Sequence, residues 1–220
     1  MKRYAVIVAG GKGVRMGSQT PKQFLAINGV PIVVHTIKAF LKADPNTMVI
    51  LVLPKDQKGR WADISNNAGL EDIQVVTGGE KRFNSVKNGL EVIADNEGVV
   101  AVHDAVRPCI DPKIINRSFE IAEAQGSAVV CVPPKDSLRR STKKGSEAVD
   151  RSSYFIVQTP QTFRISIIKE AYKRANHSGY TDDASVVEQS GTAVSMVEGD
   201  YRNIKVTTAE DLLIAELYLK

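Results

Sequence analysis

The alternation of short β-branched segments with segments of helical periodicity constrains the fold of this chain most. Segments rich in Val, Ile and Leu predict strands, and most of them are apolar at every position, at 4–9, 48–53, 73–76, 99–102, 127–132 and 192–197. Strands without a polar face are typical of a sheet buried between two layers of helices. The chain is therefore expected to form an α/β fold with a parallel sheet.

Amphipathic segments fill the intervals between these strands. Helical periodicity is found at 31–42, 85–94, 112–125, 164–176, 182–190 and 207–219. One of them has clear signals at both ends, because Asp111 and Pro112 form a capped start and Gly126 a stop. With helices on both faces of the sheet, the pattern predicts three layers within one domain spanning residues 1–220.

Composition excludes several classes of protein. The chain is 43% hydrophobic and 25% charged, as in ordinary globular proteins, and its longest apolar runs are far shorter than the roughly 20 residues needed to cross a membrane. No signal peptide is evident, and Cys109 and Cys131 are too few for a disulfide framework or a zinc site. We expect a cytoplasmic protein with reduced thiols and no membrane partner.

The positive charge is concentrated in two segments. Residues 10–22 carry three basic side chains and no acidic one, and residues 135–151 carry six basic and three acidic ones, so each segment has a net charge of +3, although the whole chain has only +4. So mild a total charge argues against a nucleic-acid partner. Two local concentrations on a nearly neutral body indicate a small, strongly anionic ligand.

Residues 135–158 interrupt the alternation of strands and helices. The segment is polar, contains Lys-Lys-Gly-Ser near its middle and has apolar residues at its end, which predicts a β-hairpin projecting from the sheet. A charged hairpin with so little apolar surface is unstable alone in water. We expect this arm to pack on a second copy of the chain or to close over a ligand.

A glycine-rich segment follows the first predicted strand. In Ala-Gly-Gly-Lys-Gly-Val-Arg-Met-Gly, residues 9–17, glycines allow successive backbone N–H groups to point at an anion, and Lys12 and Arg15 add full charges. The segment is not a P-loop, since Gly13 follows Lys12, and it lacks the third glycine of a dinucleotide fingerprint, since Met16 occupies that position. It predicts a phosphate site; the alternative is a turn with surface charges.

Several further motifs accompany this loop along the whole chain. They are Pro-Lys-Gln-Phe at 21–24, Gly-Gly-Glu-Lys-Arg at 78–82, His-Asp-Ala-Val-Arg-Pro at 103–108, Gln-Thr-Pro-Gln at 158–161, Thr-Asp-Asp-Ala at 181–184 and Asn-Ile-Lys-Val-Thr at 203–207. In this order they resemble the sugar-nucleotide pyrophosphorylases and cytidylyltransferases, and most closely the 2-C-methyl-D-erythritol 4-phosphate cytidylyltransferases of the non-mevalonate isoprenoid pathway. The resemblance implies a Rossmann-like nucleotidyltransferase sheet with a projecting β-arm.

The same resemblance implies an activity. The phosphate of methylerythritol 4-phosphate would attack the α-phosphorus of CTP, and pyrophosphate would leave. Arg15 and Lys22 match the two residues that stabilise the transition state in this family. Asp104 directly follows an apolar strand, so its carboxylate is expected at the ligand edge, where it could help to hold Mg²⁺. The alternative for Asp104 is a turn paired with Arg107, and the alternative for Lys22 is a solvent-exposed lysine.

Other positions are assigned by the same resemblance. The nucleotide site would comprise Ala9, Gly10, Gly11, Lys12, Gly13, Gly79, Glu80 and Ser85. The polyol phosphate would meet Arg107, Ser137, Arg151, Thr181 and Lys205. Ser137 stands where relatives carry a threonine. Since the arm of relatives crosses to a neighbouring subunit, the resemblance also implies a homodimer with shared active sites. His103 is expected to have a packing or hydrogen-bonding role, because an ionised phosphate needs no general base.

Two alternatives to this function remain at this point. A related enzyme that acts on ribitol 5-phosphate shares the glycine loop and the motifs at 104–108 and 203–207, although Thr-Asp-Asp at 181–183 favours methylerythritol phosphate. A regulatory module that binds a nucleotide without turnover is the second. The presence of Arg15, Lys22 and Asp104 together counts against it.

Overall fold

A seven-stranded mixed sheet forms the centre of the protein. A computed structural model describes residues 1–10 and 20–220 of the chain. The sheet has the order β11-β7-β10-β6-β1-β4-β5. Its strands are β1 (Arg3–Val8), β4 (Met48–Leu53), β5 (Gln74–Thr77), β6 (Val99–Asp104), β7 (Ser127–Val132), β10 (Ile156–Arg164) and β11 (Met196–Glu198). Two small hairpins lie outside it: β2 (Ala26–Ile27) with β3 (Val30–Pro31), and β8 (Leu138–Thr142) with β9 (Gly145–Val149).

Helices cover both faces of this sheet. They are α1 (Ile32–Ala43), α2 (Lys58–Ala68), α3 (Arg82–Glu91), α4 (Pro112–Gln125), α5 (Ile165–Arg174) and α6 (Asp183–Gln189). Helix α7 (Ala209–Tyr218) packs instead in a small cluster with β2. Side chains of α1, α2 and α4 pack on one face, and those of α3, α5 and α6 on the other. The predicted three-layer α/β architecture is thus confirmed. In the described ranges 1–10 and 20–220, no helix is long and apolar enough to span a membrane.

Local signals placed several elements correctly. Helix α4 has the predicted bounds, with the Asp111 carboxylate accepting a hydrogen bond from the backbone N–H of Lys113 at 2.8 Å. Gly126 ends this helix at a φ of +95°, a left-handed conformation that glycine adopts without strain. Helix α2 and the β2–β3 hairpin were not predicted, because the first is mostly polar and the second is only two residues long per strand.

Strand β10 is the main departure from the predicted fold. It runs antiparallel to both β6 and β7, whereas every other pairing within the described part of the sheet is parallel. Residues 156–158 were assigned to the arm, but Ile156 and Val157 already pair with β7. The polar run Gln-Thr-Pro-Gln at 158–161 hides this strand in the sequence. Gln158, Thr159 and Gln161 are nonetheless buried, and each forms side-chain hydrogen bonds at the site described below.

The predicted arm is present as a hairpin. Strands β8 and β9 pair antiparallel from Leu138–Val149 to Thr142–Gly145 and form a two-stranded sheet of their own. Most of their side chains are exposed. At the base of the arm, four consecutive apolar side chains are also 43–52% exposed: Tyr154, Phe155, Ile156 and Val157. The arm and its base therefore present both charged and apolar surface to the solvent.

Candidate active site

Two adjoining cavities open at the end of the sheet where β1 and β6 finish. In a parallel sheet, ligands bind beyond the carboxyl ends of the strands. The first cavity, of about 250 Å³, is lined by Val8, Ala9, Gly10, Lys22, Gln23, Glu80, Lys81, Arg82, Ser85, Asp104, Val106 and Lys205. The second, of about 430 Å³, is lined by Arg82, Asp104, Arg107, Val157, Gln158, Thr159, Gln161, Thr181, Asp182, Ser185 and Lys205.

Three charged side chains line both cavities. Arg82 begins α3, Asp104 ends β6, and Lys205 lies just before α7. The Asp104 carboxylate joins the other two: its Oδ1 is 3.3 Å from Arg82 Nε, and its Oδ2 is 2.8 Å from Lys205 Nζ. We call Arg82, Asp104 and Lys205 the shared wall. A chemical group transferred from a ligand in one cavity to a ligand in the other would pass these three side chains.

Asp104 remains ionised despite its burial. Burial alone would raise its pKa, but the charges of Arg82 and Lys205 outweigh that effect and hold the pKa of Asp104 well below its usual range. Arg107 contributes a third charge, with its Nε 3.7 Å from Asp104 Oδ2. The turn pairing between Asp104 and Arg107 that the sequence suggested as an alternative is therefore present, within a larger cluster.

Arg82 forms hydrogen bonds to two aspartates, which the sequence does not indicate. Its NH1 and NH2 groups donate to the two carboxylate oxygens of Asp183 at 3.0 and 2.7 Å. Asp183 is completely buried at the start of α6, and its Oδ1 also accepts a 2.6 Å hydrogen bond from Tyr172 Oη. Burial lowers the pKa of Arg82, but Asp183 and Asp104 more than compensate, so that its net pKa lies above the ordinary value.

His103 is part of the scaffold, as expected. It is fully buried, its Nε2 lies 3.3 Å from the carbonyl oxygen of Arg107, and its Nδ1 lies 3.1 Å from Thr159 Oγ1. Thr159 Oγ1 in turn accepts the backbone N–H of Asp104 at 3.1 Å. A neutral ring that donates from Nε2 and accepts at Nδ1 satisfies both contacts. Burial lowers the pKa of His103 to about 3, so the ring is uncharged at neutral pH.

Backbone close approaches shape the first cavity. The N–H of Gly79 donates to Ser85 Oγ at 3.1 Å, and a Cβ on Gly79 would lie 2.3 Å from Asn84 Cβ, so this position requires glycine. The carbonyl of Ala9 accepts a 3.0 Å hydrogen bond from the buried Gln23 side chain. Ala9, Gly10 and Ser85 line the first cavity together, and Gly79 lies behind Ser85, to which its N–H donates.

The second cavity is lined by side chains from α3, β6, β10 and α6 and by loop residues. Gln161 of β10 accepts the backbone N–H groups of Asp183 and Ala184 at 2.9 and 2.8 Å and donates to Asp182 Oδ2 at 3.1 Å. This places Asp182 at the rim beside the exposed Thr181. On the opposite side, Arg107 donates from NH1 to the carbonyl of Asn203 at 2.7 Å.

Three of the described candidate residues line neither cavity: Ser137, Arg151 and Gly79. Ser137 and Arg151 are exposed on the arm, where Arg151 donates to the carbonyl of Lys135. Lys22, Glu80, Arg107, Thr181 and Lys205 do line the cavities. Four further candidates lie outside the described residues: Gly11, Lys12, Gly13 and Arg15.

The sequence analysis missed part of the charged network. Arg82, Asp183 and Gln161 have no predicted role, although each lies within one of the motifs. Their side chains come from α3, α6 and β10, which are far apart along the chain. Polar neighbours surround Arg82 and Asp183 in the sequence, so only the fold identifies them as a buried pair.

Known proteins of one family match this chain along its whole length. Residues 4–220 match the sequence profile of 2-C-methyl-D-erythritol 4-phosphate cytidylyltransferase. A protein of that description from Bacteroides thetaiotaomicron is 45% identical over 221 residues, covering all of both chains. The crystal structure of 4-diphosphocytidyl-2C-methyl-D-erythritol synthase from Anaerococcus prevotii is similar, with a TM-score of 0.86 and 25% identity over 99% of this chain and 96% of that one. The cytidylyltransferase structure from Thermus thermophilus has a TM-score of 0.78 and 29% identity over the full length of both chains.

Proposed function

Because the chain belongs to the 2-C-methyl-D-erythritol 4-phosphate cytidylyltransferase family and transfers a cytidylyl group from CTP to that polyol phosphate, we propose that its two cavities divide the substrates between them. CTP occupies the cavity with Lys22 and the glycine segments, and methylerythritol phosphate occupies the cavity with Thr181. The observation that carries this proposal is the shared wall, since the reacting phosphates must meet where both cavities meet.

The chemistry requires alignment and positive charge. A phosphate oxygen of the polyol substrate forms a bond to the α-phosphorus of CTP, and the bond from that phosphorus to the bridging oxygen breaks as pyrophosphate leaves. The five-coordinate transition state carries concentrated negative charge, which fixed cations stabilise. We assign this role to Lys22, together with Arg15, which lies outside the described residues. The two cations of the shared wall add to the same positive field.

We assign recognition of the cytosine ring to the backbone of the first cavity. The backbone of Ala9 and Gly10 lines it, Ser85 and Glu80 add side-chain groups, and Gly79 supports Ser85 through its N–H. We assign the triphosphate to the glycine segment that continues with Gly11, Lys12 and Gly13. Backbone donors of this kind suit an anion that must be approached closely.

The polyol phosphate needs a separate set of cations. Arg107 and Lys205 supply two of them in the second cavity, and Thr181 offers a hydroxyl to the polyol. We propose that Ser137 and Arg151 complete this cavity from the arm of a partner subunit. Their exposure on the arm and the apolar surface of residues 154–157 support a homodimer, because contiguous exposed apolar residues commonly mark an interface. Analytical ultracentrifugation should give the mass of two chains.

We also propose that Mg²⁺ accompanies CTP. The described residues hold no cluster of three His, Cys, Asp or Glu side chains suited to a metal, so the protein alone provides no complete site. Asp104 fits an ion that arrives with the nucleotide, since it is an ionised carboxylate at the shared wall and its oxygens offer about four lone-pair sites for its three cationic neighbours. When bound, Mg²⁺ neutralises phosphate charge. Chelation by EDTA should abolish turnover, and added Mg²⁺ should restore it.

A reducing compartment suits this chain. Cys109 and Cys131 are both free thiols, and burial raises the pKa of each, which keeps them protonated and unreactive. We therefore propose that the enzyme works in the cytoplasm.

One experiment tests the proposed assignment of substrates. The protein is incubated with Mg²⁺, CTP and either methylerythritol 4-phosphate or ribitol 5-phosphate, and pyrophosphate release is measured. We expect a kcat/KM at least about 100-fold higher for methylerythritol phosphate, because the wrong polyol covers polar groups of the second cavity without pairing with them. Thr181→Ala should reduce this preference more than it weakens CTP binding. The family assignment does not favour ribitol phosphate, and equal use of both substrates would contradict the role of Thr181.

A further inference from the structure

Arg82 connects the two substrate cavities to the interior of the protein. Among the residues that line both cavities, it is the one joined to a fully buried carboxylate, that of Asp183. Its third nitrogen, Nε, faces Asp104 at 3.3 Å. One guanidinium thus bridges the start of α3, the end of β6 and the start of α6. A lysine ammonium cannot reproduce this arrangement, because it lacks the planar fork that engages two oxygens at once.

Asp183 is itself fixed from three directions. Besides the two bonds from Arg82, it accepts a hydrogen bond from Tyr172 of α5, and its backbone N–H donates to Gln161 of β10. The Tyr172 ring stacks on Phe83, the residue after Arg82, with ring centroids 4.7 Å apart and planes at 12°. The carboxylate that holds Arg82 therefore belongs to the packed core, not to a mobile loop.

Neither Tyr172 nor Asp183 lines either cavity. Among the described residues, Asp183 is connected to the cavities through Arg82, through Gln161 and through the neighbouring Asp182 at the rim. A change at Tyr172 that alters turnover is therefore expected to act through Asp183 and the residues bonded to it, with Arg82 held by two of those bonds.

We propose that Arg82, held by Asp183 and Tyr172, is a positioning residue that sets the distance between the two bound substrates. Arg82 fixes Asp104 and the nucleotide side of the wall from one direction and the Thr181–Asp182 rim from the other. The attacking phosphate and the α-phosphorus then lie in line when both cavities are filled. Displacements of about 1 Å can cost 100-fold in rate, so the fork geometry matters more than the charge. This inference rests on the assignment of one substrate to each cavity.

Arg82→Lys tests the proposal by keeping the charge and removing the fork. We expect kcat to fall by at least about 10-fold, with the KM for CTP changing by less than about threefold, because alignment and not nucleotide affinity is lost. Some loss of thermal stability is also expected, since the lysine leaves part of the Asp183 carboxylate unpaired in the core.

Arg3→Lys is the matched control. Arg3 is also a partly buried arginine between two carboxylates, with Nε 3.1 Å from Glu123 and NH1 3.4 Å from Asp44, but it lies at the opposite end of β1 from the cavities. The Arg3→Lys variant should have a lower melting temperature and an unchanged kcat. If Arg3→Lys lowers kcat as much as Arg82→Lys does, reduced stability explains both and the proposal is overturned.

Tyr172→Phe gives a second measurement that does not depend on the folding of Arg82→Lys. It retains the ring stacked on Phe83 and removes the hydroxyl that holds Asp183. We expect kcat to fall by about threefold or more with an unchanged KM for CTP. Wild-type kcat in Tyr172→Phe, or in a folded Arg82→Lys protein, would overturn the proposal. Absence of turnover in the wild type with CTP and methylerythritol phosphate would instead contradict the assigned substrates.

Discussion

Lys22 is the residue whose substitution tests the proposed chemistry most directly. It lines the nucleotide cavity in the short 3₁₀ helix Lys22–Phe24. We expect Lys22→Ala to lower kcat by about 100-fold or more with a much smaller effect on CTP binding, because a cation that acts on the transition state is removed. Steady-state kinetics and calorimetric titration with CTP measure the two effects. Lys113→Ala, at an exposed lysine in α4 away from the cavities, is the control; wild-type turnover in Lys22→Ala would refute the assignment.

His103 predicts how stability depends on pH. Its pKa in the folded protein, about 3, is lower than the ordinary value of 6.5, so the unfolded chain takes up a proton first as the pH falls. The stabilisation is complete above pH 6.5 and decreases as the pH falls from about 6.5 towards about 3. Between pH 6.5 and pH 5, this one residue should reduce the free energy of unfolding by about 1.5 kcal/mol.

Urea unfolding at the two pH values measures this effect. The comparison is with His103→Gln, which offers a donor and an acceptor but does not titrate. The variant should show a smaller loss of stability over the same interval. Aspartates contribute little there, because they titrate mainly below about pH 5. An identical pH dependence in both proteins would show that His103 has the same pKa in the folded and unfolded states.

Among the elements, helix α3 determines how the nucleotide side is built. It begins at Arg82, carries Ser85, and lies close to β1 and β4 because of Gly89. A Cβ at Gly89 would be 2.6 Å from Val6 Cγ1 and 3.0 Å from Val52 Cγ2. The spacing between helix and sheet therefore depends on the absence of one methyl group, and the positions of Arg82 and Ser85 depend on that spacing.

Two glycine substitutions test this close packing. Gly89→Ala should destabilise the protein by about 1–3 kcal/mol, because the extra methyl group overpacks the core. Gly59→Ala, in α2, should stabilise it by about 0.5 kcal/mol, since nothing lies within 4 Å of a Cβ there and the unfolded chain loses conformational freedom. Thermal unfolding of both variants checks the signs. A neutral Gly89→Ala would mean that α3 can move away from the sheet without cost.

The sequence patterns predict strands and helices better than they predict which side chains are hydrogen-bonded to each other. The apolar strands and helix α4 were readable because burial on both faces and capping residues leave local signals. Strand β10 was not, since its buried Gln158 and Gln161 look like loop residues until their hydrogen bonds to Asn203, Asp182 and Asp183 are known. The resemblance places Lys22 at the site, and the end of an apolar strand places Asp104 there. Arg82 has no comparable signal, because its partner Asp183 lies 101 residues away along the chain.

At the scale of the whole molecule, the proposed dimer makes the completeness of each active site depend on the arm. If Arg151 serves the partner's cavity, Arg151→Ala and Lys22→Ala subunits are each inactive but lack different groups. Mixed heterodimers then contain one site with both residues intact. After dissociation and reassociation, we expect the heterodimers to have up to about half the activity of the same amount of wild-type dimer, because one of their two sites is intact. Differently tagged subunits allow heterodimers to be purified and assayed; inactive heterodimers would place Arg151 in its own subunit's site or in neither.

The position of β10 gives the arm a mechanical property. The arm leads through Tyr154 and Phe155 directly into this strand, which is hydrogen-bonded to β7 on one side and, further along, to β6 on the other. Tension along the arm would act parallel to β10, so the hydrogen bonds from β10 to β6 and β7 would be loaded in shear. Hydrogen bonds loaded in shear resist the force together and do not break one at a time. In the proposed dimer, two subunits pulled apart by their arms would separate at the contact between them while β10 stayed in its own sheet. A pull on the arm would pass through Tyr154 and Phe155 to the strand that carries Thr159 and Gln161.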